Sequence, residues 1–167
     1  MAKLLWMKLL ALSSPFLTKR YNHAKIQNMK IASEAELISF GQKLGEELET
    51  PILIELVGDV GSGKTTLTRG IAKGLGIKEP VSSPSFTISK RYAYAKNNHE
   101  YNLVHYDFYR LPDPGIMLED LSESLSDPDT ITIIEWADTV ADILPNNHIT
   151  INISLNDDNT RNVEVTK

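Results

Sequence analysis

From residue 34 to 49 the apolar positions Leu37, Ile38, Phe40, Leu44 and Leu48 recur at helical spacing. They follow Ser33-Glu-Ala-Glu36, an N-cap with early acids behind it. This predicts an amphipathic helix over 34–49, ended by Pro51. Residues 52–57 are an apolar run of strand length, and residues 65–75 read as a second helix that closes near Gly74 and Gly76. A polar loop, 81–88, enters a strand running to about Tyr94. Lys96-Asn-Asn-His-Glu100 is a hairpin turn, and 101–109 is the return strand. Pro112 and Pro114 introduce a short helix at 115–125, and 131–134 is a second apolar run suited to a buried strand. A short helix at 138–143 follows. Ile149, Ile151 and Ile153 then alternate with polar residues, as do residues 161–165, giving a closing hairpin across Asn156-Asp-Asp-Asn159. The pattern predicts one α/β domain with a partly parallel, partly antiparallel sheet, spanning 29–167.

Residues 1–28 stand apart. They are basic and apolar, but Lys8 breaks the apolar run, which is too short to span a bilayer and lacks a small-x-small cleavage site. They read as a basic tail or as the product of an upstream start, with Met29 the true beginning.

Composition sharpens this picture in two ways. The 167 residues contain no Cys, which excludes a disulfide framework, a thiolate nucleophile and a Cys-based zinc site. The net charge of −5 is unevenly spread: six of the 17 Lys/Arg fall in residues 1–33, which hold no Asp or Glu. Residues 34–167 therefore carry 11 Lys/Arg against 22 Asp/Glu. An acidic body of this kind opposes direct grip on nucleic acid, which depends on neutralising phosphates. Any RNA contact is expected to come through a partner.

The candidate chemistry begins at Gly58-Asp-Val-Gly-Ser-Gly-Lys-Thr65, which fits G-x-x-x-x-G-K-[ST] between a strand and a helix. Glycines at 58, 61 and 63 allow a tight turn, and successive N–H groups with the helix N-terminus form a concavity for a polyphosphate. Lys64 would reach the β- and γ-phosphates, and the Thr65 hydroxyl would bind Mg²⁺. Hydrolysis also needs an acid on the metal side. Ile131-Thr-Ile-Ile-Glu135 supplies one, at the carboxyl end of an apolar strand, where it would point into the phosphate crevice. A second candidate is His105-Tyr-Asp107, whose alternation puts both side chains on one strand face. There the carboxylate could orient the imidazole or hold a metal-bound water, or the pair could be structural. Ser83-Pro-Ser-Phe-Thr87 is a polar loop that either senses a γ-phosphate or is only a turn.

Taken together, Gly58 to Thr66 with Arg69-Gly70, Ser83-Pro-Ser-Phe-Thr87, His105-Tyr-Asp-Phe-Tyr-Arg110, Ile134-Glu-Trp136 and Leu144-Pro145 resemble the bacterial TsaE family. That family is the ATPase subunit of the machinery that makes threonylcarbamoyladenosine in transfer RNA. The resemblance runs in order from about Ser33 to Arg161. Ser85-Phe86 stands where Thr-Tyr is usual, and Ala137 follows Glu135-Trp136 where Pro is common.

The resemblance implies a P-loop NTPase-like three-layer fold. It implies nucleotide phosphates on Gly61, Ser62, Gly63, Lys64, Thr65 and Thr66, with Mg²⁺ on Thr65 and Glu135. It further implies a catalytic or metal-side role for Asp107, and places the segment near Ser33–Glu34 beside the adenine. The implied partners are the catalytic threonylcarbamoyl-transfer subunit and its non-catalytic paralogue, in the cytoplasm, with ATP hydrolysis resetting the complex between turnovers.

Two other classes compete. A small P-loop kinase would need a lid carrying several arginines, whereas Arg69, Arg91, Arg110 and Arg161 are scattered along the chain. No arginine finger is apparent: Arg110 is beside a proposed site residue, and Arg161 is assigned to the distant closing hairpin. A binding-only assembly switch with negligible hydrolysis is the non-enzyme alternative. A GTPase is excluded, because neither D-x-x-G nor [NT]-K-x-D occurs.

Overall fold

Seven strands form a single sheet in the order β1-β7-β6-β2-β5-β4-β3 in a computed structural model that describes residues 27–167. The strands are β1 (Gln27–Ile31), β2 (Ile52–Val57), β3 (Ser89–Lys96), β4 (His99–Asp107), β5 (Thr130–Glu135), β6 (Ile149–Leu155) and β7 (Arg161–Thr166). The helices are α1 (Glu34–Glu47), α2 (Lys64–Gly74) and α3 (Met117–Ser126), with a 3₁₀ helix at Ala137–Ile143.

The four inner strands, β6-β2-β5-β4, run parallel. The outer pairs β1–β7, β6–β7 and β3–β4 are antiparallel. This is the mixed α/β sheet that the sequence predicts. Every residue of β5 is buried, as a parallel strand covered on both faces requires. One face carries Ile54, Leu56, Ile131 and Ile133 against Leu37, Leu44, Leu67 and Ile71 of α1 and α2. The other carries Leu53, Val104, Tyr106 and Ile134 against Leu121 of α3 and Val140 of the 3₁₀ helix. Two layers around one sheet make the three-layer architecture.

Most boundaries fall within a few residues of the pattern. The β3–β4 turn uses Asn97 and Asn98, both at positive φ (55° and 59°), which matches the twist of a two-residue hairpin. One strand was not foreseen. β1 pairs with β7, Ile31 opposite Arg161 and Met29 opposite Val163, and its first two residues belong to the stretch read as a tail. The rest of that stretch lies outside the described residues.

Helices α1 and α2 approach so closely that backbone meets backbone. A Cβ built on Gly45 would sit 2.2 Å from the Ile71 carbonyl oxygen, and one on Gly74 2.1 Å from that of Gln42. Gly41 and Gly70 meet in the same seam, with Cβ positions 2.7 Å from Leu67 O and 2.5 Å from Ile38 O. Two Gly-x-x-x-Gly pairs therefore fix the helix that carries the phosphate loop at its N-terminus.

Candidate functional site

β2 delivers the chain into the loop 58–63, and α2 takes it out again. Gly58 sits at φ +149°, where a Cβ would lie 2.3 Å from the Ile153 carbonyl oxygen. Gly63, at φ +116°, caps α2, and a Cβ there would meet Leu37 Cδ2 at 2.7 Å. Both backbone conformations strongly disfavour a side chain, and at Gly58 the Ile153 backbone closes the space as well. Gly61, by contrast, faces open space.

The first turn of α2 holds no acidic residue, so its N-terminal dipole is not neutralised from within the helix. Lys64 is buried, and its Nζ donates to the carbonyls of Gly58 (2.7 Å) and Asp59 (3.0 Å). It also lies 4.4 Å from the centre of the Trp136 ring. Burial lowers its pKa below that of an ordinary lysine, and the charges of Glu135, Asp107 and Asp59 oppose that shift. The buried Ser62 Oγ has no partner among the described residues. A concave backbone, a cation and an unsatisfied hydroxyl are the donor set that a phosphate chain takes.

The acidic half comes from the ends of β4 and β5, where Asp107 and Glu135 are opposite each other in register. Glu135 Oε1 accepts from Thr65 Oγ1 at 3.1 Å and lies 2.9 Å from His105 Nε2. His105 Nδ1 is buried without a partner among the described residues. Asp107 Oδ2 accepts from Ser83 Oγ (2.8 Å) and Ser85 Oγ (2.5 Å), and Oδ1 accepts from the Tyr109 N–H (3.0 Å).

Among the described residues there is no group of three or more His, Cys, Asp or Glu side chains able to hold a metal ion. The Thr65 hydroxyl and Glu135 carboxylate are instead a pair of hard oxygen donors. Such a pair fits Mg²⁺, which takes few protein ligands and completes its shell with phosphate and water oxygens.

Three placements differ from the sequence reading. His105 pairs with Glu135 on the neighbouring strand, while Asp107 takes Ser83 and Ser85, so the His–Asp pairing along β4 does not form. The reason is strand pairing: β5 sets a second carboxylate beside the imidazole, which alternation within β4 cannot reveal. The Ser83–Thr87 loop is thereby fastened to Asp107. Arg161, assigned to a distant hairpin, is at the loop itself, its Nε donating to Ser62 O at 2.8 Å.

Ser33 is the N-cap of α1. Its hydroxyl accepts from Glu36 N–H (3.2 Å), while the Glu36 carboxylate accepts from the N–H of Ala32, one residue before the cap (2.7 Å), a variant of the capping box. The neighbouring Glu34 lies 3.8 Å from Arg69. Thr66 falls in the first turn of α2. Trp136, whose role the sequence left open, adopts a left-handed conformation (φ 60°). Its ring stands 4.9 Å from that of Tyr109 as well as under Lys64.

A family model described as "Threonylcarbamoyl adenosine biosynthesis protein TsaE" matches residues 31–163. The chain belongs to the TsaE family. It is similar to the tRNA threonylcarbamoyladenosine biosynthesis protein TsaE of Haemophilus influenzae, at 37% identity over 81% of this chain and 85% of that one. The protein of the same description from Bacillus subtilis is 37% identical over 68% of each chain. Among solved structures, the crystal structure of Bacillus subtilis YdiB superposes with a TM-score of 0.68 at 27% identity, covering 87% of this chain and 88% of that one. The matched segment of the TsaE model takes in the phosphate loop, Asp107, Glu135 and Arg161. Among the described residues, no helix is long and apolar enough to cross a membrane.

Proposed function

We propose that this TsaE-family chain binds ATP with Mg²⁺ and hydrolyses it as a subunit of tRNA threonylcarbamoyladenosine biosynthesis. The observation that carries this reading is the convergence of Lys64, Thr65 and Glu135. Thr65 Oγ1 on the phosphate-loop helix is 3.1 Å from Glu135 Oε1 at the end of β5, with the Lys64 ammonium at the same crevice. The backbone N–H groups from Gly61 to Thr66 bind the phosphates, and Lys64 supplies the charge-assisted contact to the terminal ones. Thr65 and Glu135 hold the metal, which when bound neutralises charge on the phosphate oxygens. Asp107, kept in place by Ser83, Ser85 and the Tyr109 amide, is the catalytic carboxylate at the metal or its water. The capped start of α1 at Ser33 lies on the adenine side.

The four arginines of the described residues bear on both the rivals and the rate. Arg69 is directed to Glu34 and Val81 O, Arg91 to Asp127, Arg110 to the Tyr109 ring and Arg161 to Ser62 O. None stands on a lid, which disfavours a kinase. None is left to stabilise a departing γ-phosphate, so the chain alone is a weak ATPase that partners complete. The partners are the threonylcarbamoyl-transfer catalytic subunit and its non-catalytic paralogue, in the cytoplasm, and hydrolysis resets their complex between turnovers. The acidic body leaves transfer RNA to that complex.

Calorimetry with ATP and Mg²⁺ tests the binding: Lys64→Ala is expected to lose about tenfold or more in affinity, from a charge-assisted contact of roughly 1.5–3 kcal/mol. Wild-type affinity in that variant refutes the placement. Turnover measured with and without the two companions separates an ATPase from an assembly switch. A rate that stays negligible in the full complex favours the switch.

A further inference from the structure

We propose that Arg161 is a positioning residue for the phosphate loop, acting from β7 on the peptide between Ser62 and Gly63. This rests on the ATP-binding reading above and extends it to a residue outside the loop, the acids and the helix. Arg161 opens β7, where it is opposite Ile31 of β1 and Leu155 of β6. From there its Nε donates to Ser62 O at 2.8 Å, across 99 residues of sequence. The guanidinium stem packs over Gly63: a Cβ on that glycine would come within 3.2 Å of Arg161 Nε and 3.7 Å of its Cδ.

The consequence follows from peptide geometry. Ser62 O and Gly63 N–H belong to one planar trans peptide, and their bonds point in opposite directions. Ser62 precedes the helix cap, whose first ladder bond runs from Leu67 N–H to Gly63 O at 2.8 Å, so Ser62 O lies outside the ladder. A cationic donor gripping that carbonyl from outside holds the Gly63 N–H toward the concavity. It also polarises the peptide, making that N–H a stronger donor to an anion. Arg161 has no carboxylate partner among the salt bridges of the described residues, so it grips Ser62 O as a full cation. The adjoining end of β1 leads within two residues to the Ser33 cap, so one arginine ties the loop to β7 and, through its pairing with β1, to the start of α1.

The test is equilibrium binding by calorimetry of ATP, ADP and inorganic triphosphate to the full chain and to Arg161→Met and Arg161→Lys. Arg161→Met keeps the apolar stem and loses the donor. It is expected to weaken all three ligands by a common factor of about ten, the scale of one charge-assisted hydrogen bond. It should also shift the Gly63 amide resonance in the nucleotide-free protein. Arg161→Lys, which keeps a cationic N–H, recovers part of both effects. A lower melting temperature with unchanged affinities and an unmoved Gly63 signal overturns the inference and leaves a packing role. A loss confined to ATP and ADP, with triphosphate unaffected, overturns it in favour of direct contact with the nucleoside. Wild-type protein that binds none of the ligands overturns the nucleotide reading itself, an outcome distinct from both.

Discussion

Around the loop from Gly58 to Gly63 the shaping contacts are to backbone atoms, whereas around Asp107 and Glu135 they run side chain to side chain. Lys64 and Arg161 both donate to loop carbonyls, and the helix behind the loop is seated by glycines against the backbone of α1. Glu135 is held by Thr65 and His105, and Asp107 mainly by two serine hydroxyls. Backbone shape is set by packing over the whole layer, so changes in the first half fall on stability and on phosphate binding together. Side-chain bonds can be altered one atom at a time, so under the proposed function changes in the second half are expected to fall on turnover. The two halves meet at the Thr65–Glu135 contact.

The harshest way to break this contrast is Gly45→Leu. Its side chain has no room beside Ile71 O, so α1 and α2 must part, and stability should fall by about 3 kcal/mol or more. Denaturant unfolding reads this out, and a wild-type midpoint would show that the seam does not hold the loop helix.

Glu135→Gln and Asp107→Asn probe the other half with nearly isosteric changes. Each should lower ATP turnover in the reconstituted complex by about a hundredfold. Stability should move by only about 1 kcal/mol, because the amide oxygen still accepts hydrogen bonds. Normal turnover in both variants removes the carboxylates from the chemistry.

A gentler probe is pH. Burial lowers the Lys64 pKa from 10.5, so the buried cation is lost at a lower pH than on an ordinary lysine. Phosphates favour the protonated form. ATP affinity should therefore be full near neutrality and decline as pH rises through a value below 10.5. The decline should be absent in Lys64→Ala, and an equal decline there would assign it elsewhere.

The smallest effect is expected for Ser85→Ala, which removes one of three donors to Asp107 from an exposed loop residue. Stability should change by about 1 kcal/mol or less, with a modest loss of turnover. A larger stability loss in denaturant would mean that this loop is held as firmly as the phosphate loop.

The phosphate loop and the apolar strands leading to it and to Glu135 were legible because each is a local pattern. A loop needing positive φ writes its glycines within a few residues of one another, and a parallel strand buried on both faces writes an unbroken apolar run. The Ser33 N-cap and the Asn97-Asn98 turn are local in the same sense. By itself, then, the sequence determined the types of the elements after β1, the placing of the candidate chemistry at their ends and the family. Other features depend on which strand lies beside which. His105 and Asp107 share a strand, but the imidazole's partner comes from β5. β1 has too little periodicity in five residues to announce a strand, and it exists because β7 offers an edge. Gly41 and Gly45 look like ordinary helix residues until Gly70 and Gly74 face them. Arg161 stands 99 residues from Ser62 and reaches it only because β7 folds back through β6 onto β2. Such contacts are chosen by the joint burial of two sheet faces and by the pairing of strand edges, which no short window of residues contains.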